Sequence, residues 1–116
     1  MRQQSKLYLL VLGFGLALSP TATAGEDPTF TTIDFPGASF TSANGINAQG
    51  DIVGAYVSAG VMHGYLLSDG SFTTIDFPGA SFTAARGINP RGDIVGIYVS
   101  AGVSHGFLLS GQVEPR

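Results

Sequence analysis

The sequence predicts an all-β protein made of two tandem repeats of about 42 residues, each forming four antiparallel strands like one propeller blade. Phe30 to Ser68 recurs almost unchanged as Phe72 to Ser110. Alternating β-branched and aromatic residues are separated by predicted turns at Pro36-Gly37, Asn47–Gly50, Ser58–Gly60 and Asp69-Gly70. After the N-terminal segment, no window has apolar residues at helical spacing. A compact β-sandwich is the alternative fold, because strand patterns do not determine how sheets pack.

The N-terminus has the pattern of a secretory signal peptide over residues 1–24. Arg2 and Lys6 precede the apolar run Leu7 to Leu18, and Ala22-Thr23-Ala24 ends in a cleavage signature. The run is shorter than the roughly 20 residues of a membrane-spanning helix. We therefore expect cleavage after Ala24 and a secreted or periplasmic protein without a membrane anchor.

The rest of the chain divides into a polar leader over residues 25–29, a two-repeat β domain over 30–111 and a tail over 112–116. The first repeat covers 30–71 and the second covers 72–111. Strands are predicted, in chain order, over Phe30–Phe35, around Gly45–Asn47, over Ile52–Val57, Met62–Leu67 and Ser71–Phe77, around Gly87, from Ile94, and over Ser104–Leu109.

The order of these strands leaves one gap. A blade that begins at Gly45 ends with the strand Ser71–Phe77, whereas the blade that begins at Gly87 has no such last strand. The first copy of that strand, Phe30–Phe35, is expected to fill the gap within the chain or in a neighbour. Pairing the chain ends in this way would remove exposed sheet edges.

The composition limits the partners. The net charge is −3, and cleavage of the signal peptide would remove Arg2 and Lys6 and make the chain more acidic. An acidic chain has no electrostatic attraction for nucleic acid or an anionic membrane. With no cysteine, stability must come from core burial or self-association.

The repeat resembles the bacterial HAF repeat, a family of probable extracellular proteins. The matching elements are Gly-Ile-Asn, Gly-Asp-Ile-Val-Gly-x-Tyr and the segments His63–Leu67 and His105–Leu109, with His-Gly where the family commonly has His-Ala. The resemblance covers nearly all of Phe30 to Leu109. It implies export and tandem β repeats, and it implies no catalytic residue or cofactor.

The residues that define the repeat are interpreted as structural. They are Gly45, Asn47, Gly50, Asp51, His63 and Gly64, with Gly87, Asn89, Gly92, Asp93, His105 and Gly106. Each histidine is expected to hold a turn or core hydrogen bond, since the spacing of the pair is not that of a metal site. One carboxylate per turn favours turn stabilisation by Asp51 and Asp93 over calcium binding.

No motif supports catalysis, so no catalytic residue, cofactor or metal is predicted. Asp34 and Asp76 are equivalent and could form an acid/base pair of a hydrolase. Each precedes Phe-Pro-Gly, and a strand-end aspartate that caps this turn is the favoured interpretation.

The differences between the copies give candidate ligand-binding residues. Arg86 and Arg91 lie in the second repeat, where the first has Asn44 and Gln49. The arginines could bind an anionic or sugar group, and Tyr56 and Tyr98 could offer stacking faces. Solubilising arginines and core tyrosines are the alternative.

Two main hypotheses of function follow. The first is an exported, non-catalytic binding module with glycans as the candidate ligand. It self-associates because two repeats fall short of the roughly 4 to 8 blades of a closed propeller. Three chains would supply six blades, similar to small two-repeat bacterial lectins. The second is a structural remnant of a longer extracellular repeat array, suggested by the near-identity of the copies.

Overall fold

The computed structural model describes Asp27 to Gly111. The predicted signal peptide, the start of the leader and the tail lie outside the described residues. The chain divides into two compact units, Met1–Thr32 and Ile33–Arg116. In the first unit, residues 27–32 form no strand.

The described residues are all-β and contain no helix. Seven strands form two antiparallel sheets, and within each sheet the strands follow one another in chain order. Sheet 1 contains β1 (Phe40–Ile46), β2 (Ile52–Ser58), β3 (Val61–Ser68) and β4 (Ser71–Ile75); sheet 2 contains β5 (Phe82–Ile88), β6 (Ile94–Ser100) and β7 (Val103–Leu109).

The predicted hairpin turns are confirmed. Asp69 and Gly70 have φ of 51° and 78°, and Ala59 and Gly60 have φ of 51° and 77°. Two successive left-handed residues match the right-handed twist of the strands that they join. The backbone amide of Gly50 donates to Asn47 O at 3.1 Å, which closes the predicted turn before β2.

The strand predicted over Phe30–Phe35 is wrong for this structure. Residues 27–35 form no strand, although Ser71–Ile75, within the second copy of the same sequence, forms β4. β4 follows β3 through the Asp69-Gly70 turn and pairs with it, whereas Phe30–Phe35 has no strand immediately before it in the described chain. A strand needs a partner for its backbone donors and acceptors.

Two predicted boundaries also change. The short strand expected around Gly45–Asn47 is the end of β1, which begins at Phe40 because Thr41 and Ser42 pair with Tyr56 and Ala55. The strand expected over Ser71–Phe77 ends at Ile75. Sheet 1 thus has the four strands of the predicted blade, and sheet 2 has three.

Successive residues of a strand point to opposite faces, so each sheet has two faces. We call one the valine face, which carries Val53 and Leu66 in sheet 1 and Val95 and Leu108 in sheet 2. We call the other the tyrosine face, and its principal members are Tyr56, His63, Tyr65 and Phe72 in sheet 1 and Tyr98, His105 and Phe107 in sheet 2.

The valine face of sheet 1 packs on the tyrosine face of sheet 2. Their contact forms the core, which consists of Val53, Leu66, Ile75, Ala85 and Ile94, with Ile88, Phe107 and Leu109 packed against it. Gly64 belongs to this contact, because a Cβ there would lie 3.2 Å from the backbone nitrogen of Ala85. The sequence repeat therefore becomes two stacked sheets with a directional contact between unlike faces.

Candidate functional site

The valine face of sheet 2 is exposed where the same face of sheet 1 is buried. Val53 is 0% exposed, and its equivalent Val95 is 49% exposed. Leu66 is 5% exposed, and Leu108 is 67% exposed. Residues of identical type at identical repeat positions differ because sheet 2 covers one pair and no described residue covers the other.

The tyrosine face of sheet 1 shows the complementary difference. Ala85 and Ile94 of sheet 2 are fully buried, whereas their equivalents Ala43 and Ile52 are exposed and half-buried. Ile46, the equivalent of the half-buried Ile88, is 67% exposed. One chain therefore presents both halves of the sheet-to-sheet contact that it already makes internally.

β7 is an edge strand in the described residues. Its equivalent β3 pairs with β2 on one side and with β4 on the other. β7 pairs with β6 alone within residues 27–111. An edge strand has unpaired N–H and C=O groups that can pair with an added strand.

An apolar hollow of about 160 Å³ lies along β7. Its lining includes Ile75, Phe77 and Pro78 on one side and Phe107 and Leu109 on the other. In sheet 1 the equivalent place holds the ring of Phe72, which packs on Phe35 at 5.0 Å and on Tyr65 at 5.4 Å between ring centroids. The hollow thus has the position of an aromatic side chain that the fourth strand of sheet 2 would supply.

The fourth strand of sheet 1 and the residue that follows it, Asp76, make two polar contacts with β2 and β3. Asp76 accepts a hydrogen bond from His63 Nδ1 at 2.8 Å, and Tyr56 Oη and Thr74 Oγ1 lie 2.7 Å apart. His63 thus holds a hydrogen bond, although at a partly exposed place and not in a turn or the core, and the acceptor is Asp76, which was expected to cap the Pro-Gly turn. The second histidine, His105, is exposed and stacks beside Tyr98 with ring centroids 4.9 Å apart.

The backbone amide of Phe35, which precedes Pro36-Gly37, donates to Thr41 Oγ1, and that of Phe77 donates to Thr83 Oγ1. Phe35 stacks on Tyr56 and Phe77 on Tyr98, each with ring centroids 3.6 Å apart. Each Phe-Pro-Gly turn is therefore fixed to the sheet that follows it in the chain. The alignment of the copies did not reveal these contacts, although the shared Phe and Thr positions were visible.

The predicted ligand-binding residues lie at different places. Asn44 and Arg86 occupy the irregular positions of β1 and β5, where the register shifts. A β-bulge changes the direction in which a side chain points. Asn44 Nδ2 donates to Ala85 O at 2.9 Å across the sheet contact, whereas Arg86 is exposed.

The other three predicted ligand-binding residues have contacts within the fold. Arg91 donates to Asp93 through Nε and Nη2. The ring of Tyr56 is buried and lies against Phe35 and His63, and the half-buried Tyr98 lies against Phe77 and His105. A ligand-binding role for the five residues stays a prediction.

The turn aspartates accept hydrogen bonds within their own loops. Asn47 Nδ2 donates to the buried Asp51 at 2.9 Å and also to Asn89 O, which links the equivalent loops of the two sheets. Hydrogen bonds from Asn89 and Arg91 and from the Gly111 amide lower the pKa of Asp93 to about 2.

Two glycines that the sequence interpretation did not single out are constrained by close packing. A Cβ at Gly54 would overlap Ser42 O and lie 2.8 Å from the ring of Tyr65, and one at Gly96 would overlap Ala84 O. The sequence signal for this constraint was the large aromatic residue that pairs with each glycine across the hairpin, Tyr65 for Gly54 and Phe107 for Gly96.

The described residues contain no group of three or more potential metal ligands. Within the same residues, no helix has the length and apolarity needed to span a membrane. Comparisons with protein families, curated proteins and solved structures gave no match.

Proposed function

We propose that this chain is an exported, non-catalytic interaction module that acts through the uncovered faces of its two sheets. The observation that carries this proposal is the exposure of Val95 and Leu108, whose equivalents Val53 and Leu66 are buried. An apolar face that is covered in one copy of a repeat and bare in the other indicates a missing partner surface. The partner that fits best is the part of the tyrosine face of sheet 1 that carries the exposed Ala43 and Ile46 and the half-buried Ile52.

In this proposal the chain associates with itself, and the repeats form the blades of a propeller-like assembly. The contact from the valine face of one sheet to the tyrosine face of the next can be repeated head to tail. A head-to-tail contact produces a ring when its rotation closes and a filament when it does not. The resemblance to the HAF repeat, with its tandem extracellular copies, is compatible with either outcome.

The test is the absolute mass in solution of the exported product of the full chain, measured by light scattering over a wide concentration range. We expect an oligomer that Leu108→Lys dissociates, because the lysine charge would be buried in the contact. Val103→Lys is the matched control, since Val103 is exposed even though sheet 1 covers its face of sheet 2. A single-chain mass at every concentration would contradict self-association.

A second candidate function is that the chain is a piece of a longer extracellular array. The same uncovered faces favour it, because additional repeats could cover them. Under this alternative, the isolated chain would aggregate without forming an oligomer of defined mass.

Glycan binding is the ligand prediction that belongs to the first proposal. Arg86 supports it, because the residue is exposed and lies at an irregular position of β5. A glycan array should show binding by the assembled protein and weaker binding by Arg86→Ala. Binding by Arg86→Ala as strong as that of the unchanged chain would exclude Arg86 from the site.

A further inference from the structure

Self-association alone leaves the edge of β7 and the hollow beside it unexplained. The sequence of β4 also occurs earlier in the chain, at residues that form no strand: Phe30-Thr-Thr-Ile-Asp34 has the same sequence as Phe72-Thr-Thr-Ile-Asp76. We propose that residues 30–34 of a second copy of this chain add to β7 as the fourth strand of sheet 2. This inference rests on the proposed function, and it names the segment and the register.

The register follows from sheet 1. There Leu67 pairs with Phe72, Leu66 with Thr73 and Tyr65 with Thr74. The equivalent pairs place Leu109 opposite Phe30, Leu108 opposite Thr31 and Phe107 opposite Thr32 of the second copy. A shift of one residue would turn every side chain to the opposite face, so the register is a strict prediction.

The aromatic contacts of β4 predict what the added strand would fill. Phe72 packs between Phe35 and Tyr65. At the same offset, Phe30 of the second copy meets Phe77 and Phe107, and both of these residues line the apolar hollow. The hollow is therefore a binding site for one phenylalanine ring.

The polar contacts of β4 and of Asp76, the residue that follows it, predict two intermolecular hydrogen bonds. His63 bonds with Asp76, and Tyr56 with Thr74. In the assembly, His105 would bond with Asp34 of the second copy, and the Tyr98 hydroxyl with Thr32 of the second copy. The exposed His105 then has the same role as His63.

The position of the Phe-Pro-Gly turn explains why the donor is a second copy. The residues before Phe77 pair in sheet 1, while Phe77 itself stacks on Tyr98 of sheet 2. The segment around Phe77 therefore joins one sheet to the next, and the equivalent segment around Phe35 is expected to do the same. Phe35 already stacks on Tyr56 of sheet 1, so the strand before it belongs to the sheet that precedes sheet 1. In a head-to-tail assembly, that sheet is sheet 2 of another copy.

The added strand and the contact between the two exposed sheet faces are compatible in one assembly. When residues 30–34 pair with β7, the tyrosine face of the donor's sheet 1 comes onto the valine face of the acceptor's sheet 2. Val95 and Leu108 of the acceptor then meet Ala43, Ile46 and Ile52 of the donor, as Val53 and Leu66 meet Ala85, Ile88 and Ile94 within one chain. Both exposed faces become buried in one step.

Disulfide cross-linking tests the strand and its register, and the chain has no cysteine of its own. Two preparations of the full exported product are mixed, one with Thr31→Cys and the other with Leu108→Cys. Opposite residues of an antiparallel pair lie close enough for a disulfide. We expect covalent heterodimers, with at least about tenfold less product when Leu109→Cys replaces Leu108→Cys, because Leu109 points to the other face. Equal yields, or no heterodimer, would overturn the proposal.

Phe30→Ala gives a second test that does not depend on cysteine chemistry. Loss of the ring should weaken association at least about tenfold while the β-sheet circular dichroism stays unchanged. Val61→Ala is the control, because its equivalent Val103 is 53% exposed on a covered face. If Phe30→Ala associates as strongly as Val61→Ala, the hollow does not bind this ring.

The outcomes separate this inference from the proposed function. An oligomer that forms no register-dependent disulfide would overturn strand addition and leave the interaction module standing. A chain that stays monomeric at all concentrations would overturn strand addition and self-association together.

Discussion

Sheet 1 and sheet 2 are nearly the same sequence, yet they bury their residues differently. Val53 and Leu66 are core residues, whereas Val95 and Leu108 are exposed. Neither residue type nor local strand structure accounts for this difference. It comes from what covers each sheet, since sheet 1 has a second sheet on its valine face and sheet 2 has none within the described residues. Burial is thus a property of the position in the stack.

The largest expected effect comes from truncating one leucine in each sheet. Leu66→Ala should lower the free energy of unfolding by about 3 kcal/mol, because it empties a packed core position. Leu108→Ala should leave the stability of the dissociated chain almost unchanged and should weaken association instead. Chemical denaturation at low protein concentration measures the first effect, and light scattering the second. Equal losses of stability in the dissociated chain would contradict the structural difference between the sheets.

Replacing the turn aspartate should also cost more stability in sheet 1 than in sheet 2. Asp51→Ala removes a buried acceptor of hydrogen bonds from Asn47 and Ser68, and it should lower the free energy of unfolding by about 2 kcal/mol. Asp93→Ala, in the more open loop of sheet 2, should have a smaller effect. Thermal unfolding of both variants checks this order, which the reverse ranking would contradict.

A smaller effect is expected from replacing Asp76, which follows the fourth strand of sheet 1, and its repeat equivalent Asp34. Asp76→Asn weakens the contact with the partly exposed His63, and it should lower the free energy of unfolding by about 0.5 kcal/mol. Asp34→Asn should have no effect on the dissociated chain, but it should weaken the assembly because its proposed partner is His105 of another copy. Denaturation and light scattering on both variants separate the two effects. A stability loss from Asp34→Asn in the dissociated chain would show that Asp34 has a partner in its own chain.

The smallest expected effect is a pH dependence. The pKa of Asp93 is lowered to about 2 in the folded chain by hydrogen bonds from Asn89, Arg91 and the Gly111 amide. A lowered folded-state pKa stabilises the fold above the unfolded pKa of about 3.9, and this contribution is lost as the pH falls through about 2. Carboxyl NMR titration should give a midpoint near 2 in the native chain and a higher one in Arg91→Ala. An unchanged midpoint in the variant would contradict the role of Arg91.

Much of the fold could be predicted from local sequence. The Asp69-Gly70 and Asn47–Gly50 turns were predicted, since their chemistry acts over a few residues. β2 and β3 were predicted to within about a residue at each end, because their apolar runs are bounded by these turns.

The errors occurred where pairing decides structure. Phe30–Phe35 and Phe72–Phe77 are identical in sequence, yet only the second contributes to a strand, since β3 lies beside it. The early start of β1 was missed because Thr41–Asn44 is small and polar, and its strand structure comes from pairing with β2. A local pattern contains no information about which neighbour is present.

The candidate site could be predicted only in part. The missing fourth strand of sheet 2 followed from the order of the repeats. The hollow beside Phe107 and the exposure of Val95 and Leu108 did not, because both depend on which face of one sheet packs on the other. The sequence pattern instead favoured Arg86 and Arg91, since differences between copies are visible in an alignment and differences in burial are not.

Amide hydrogen exchange of β7, compared with that of β3 in the same protein, tests the central claim most directly. Strand addition would hydrogen-bond the outer edge of β7, so we predict that the amides of Val103–Leu109 become as protected as those of Val61–Ser68 when the protein concentration rises. Fast exchange along the outer edge of β7 at every concentration, with β3 protected throughout, would contradict the claim that a second copy completes sheet 2.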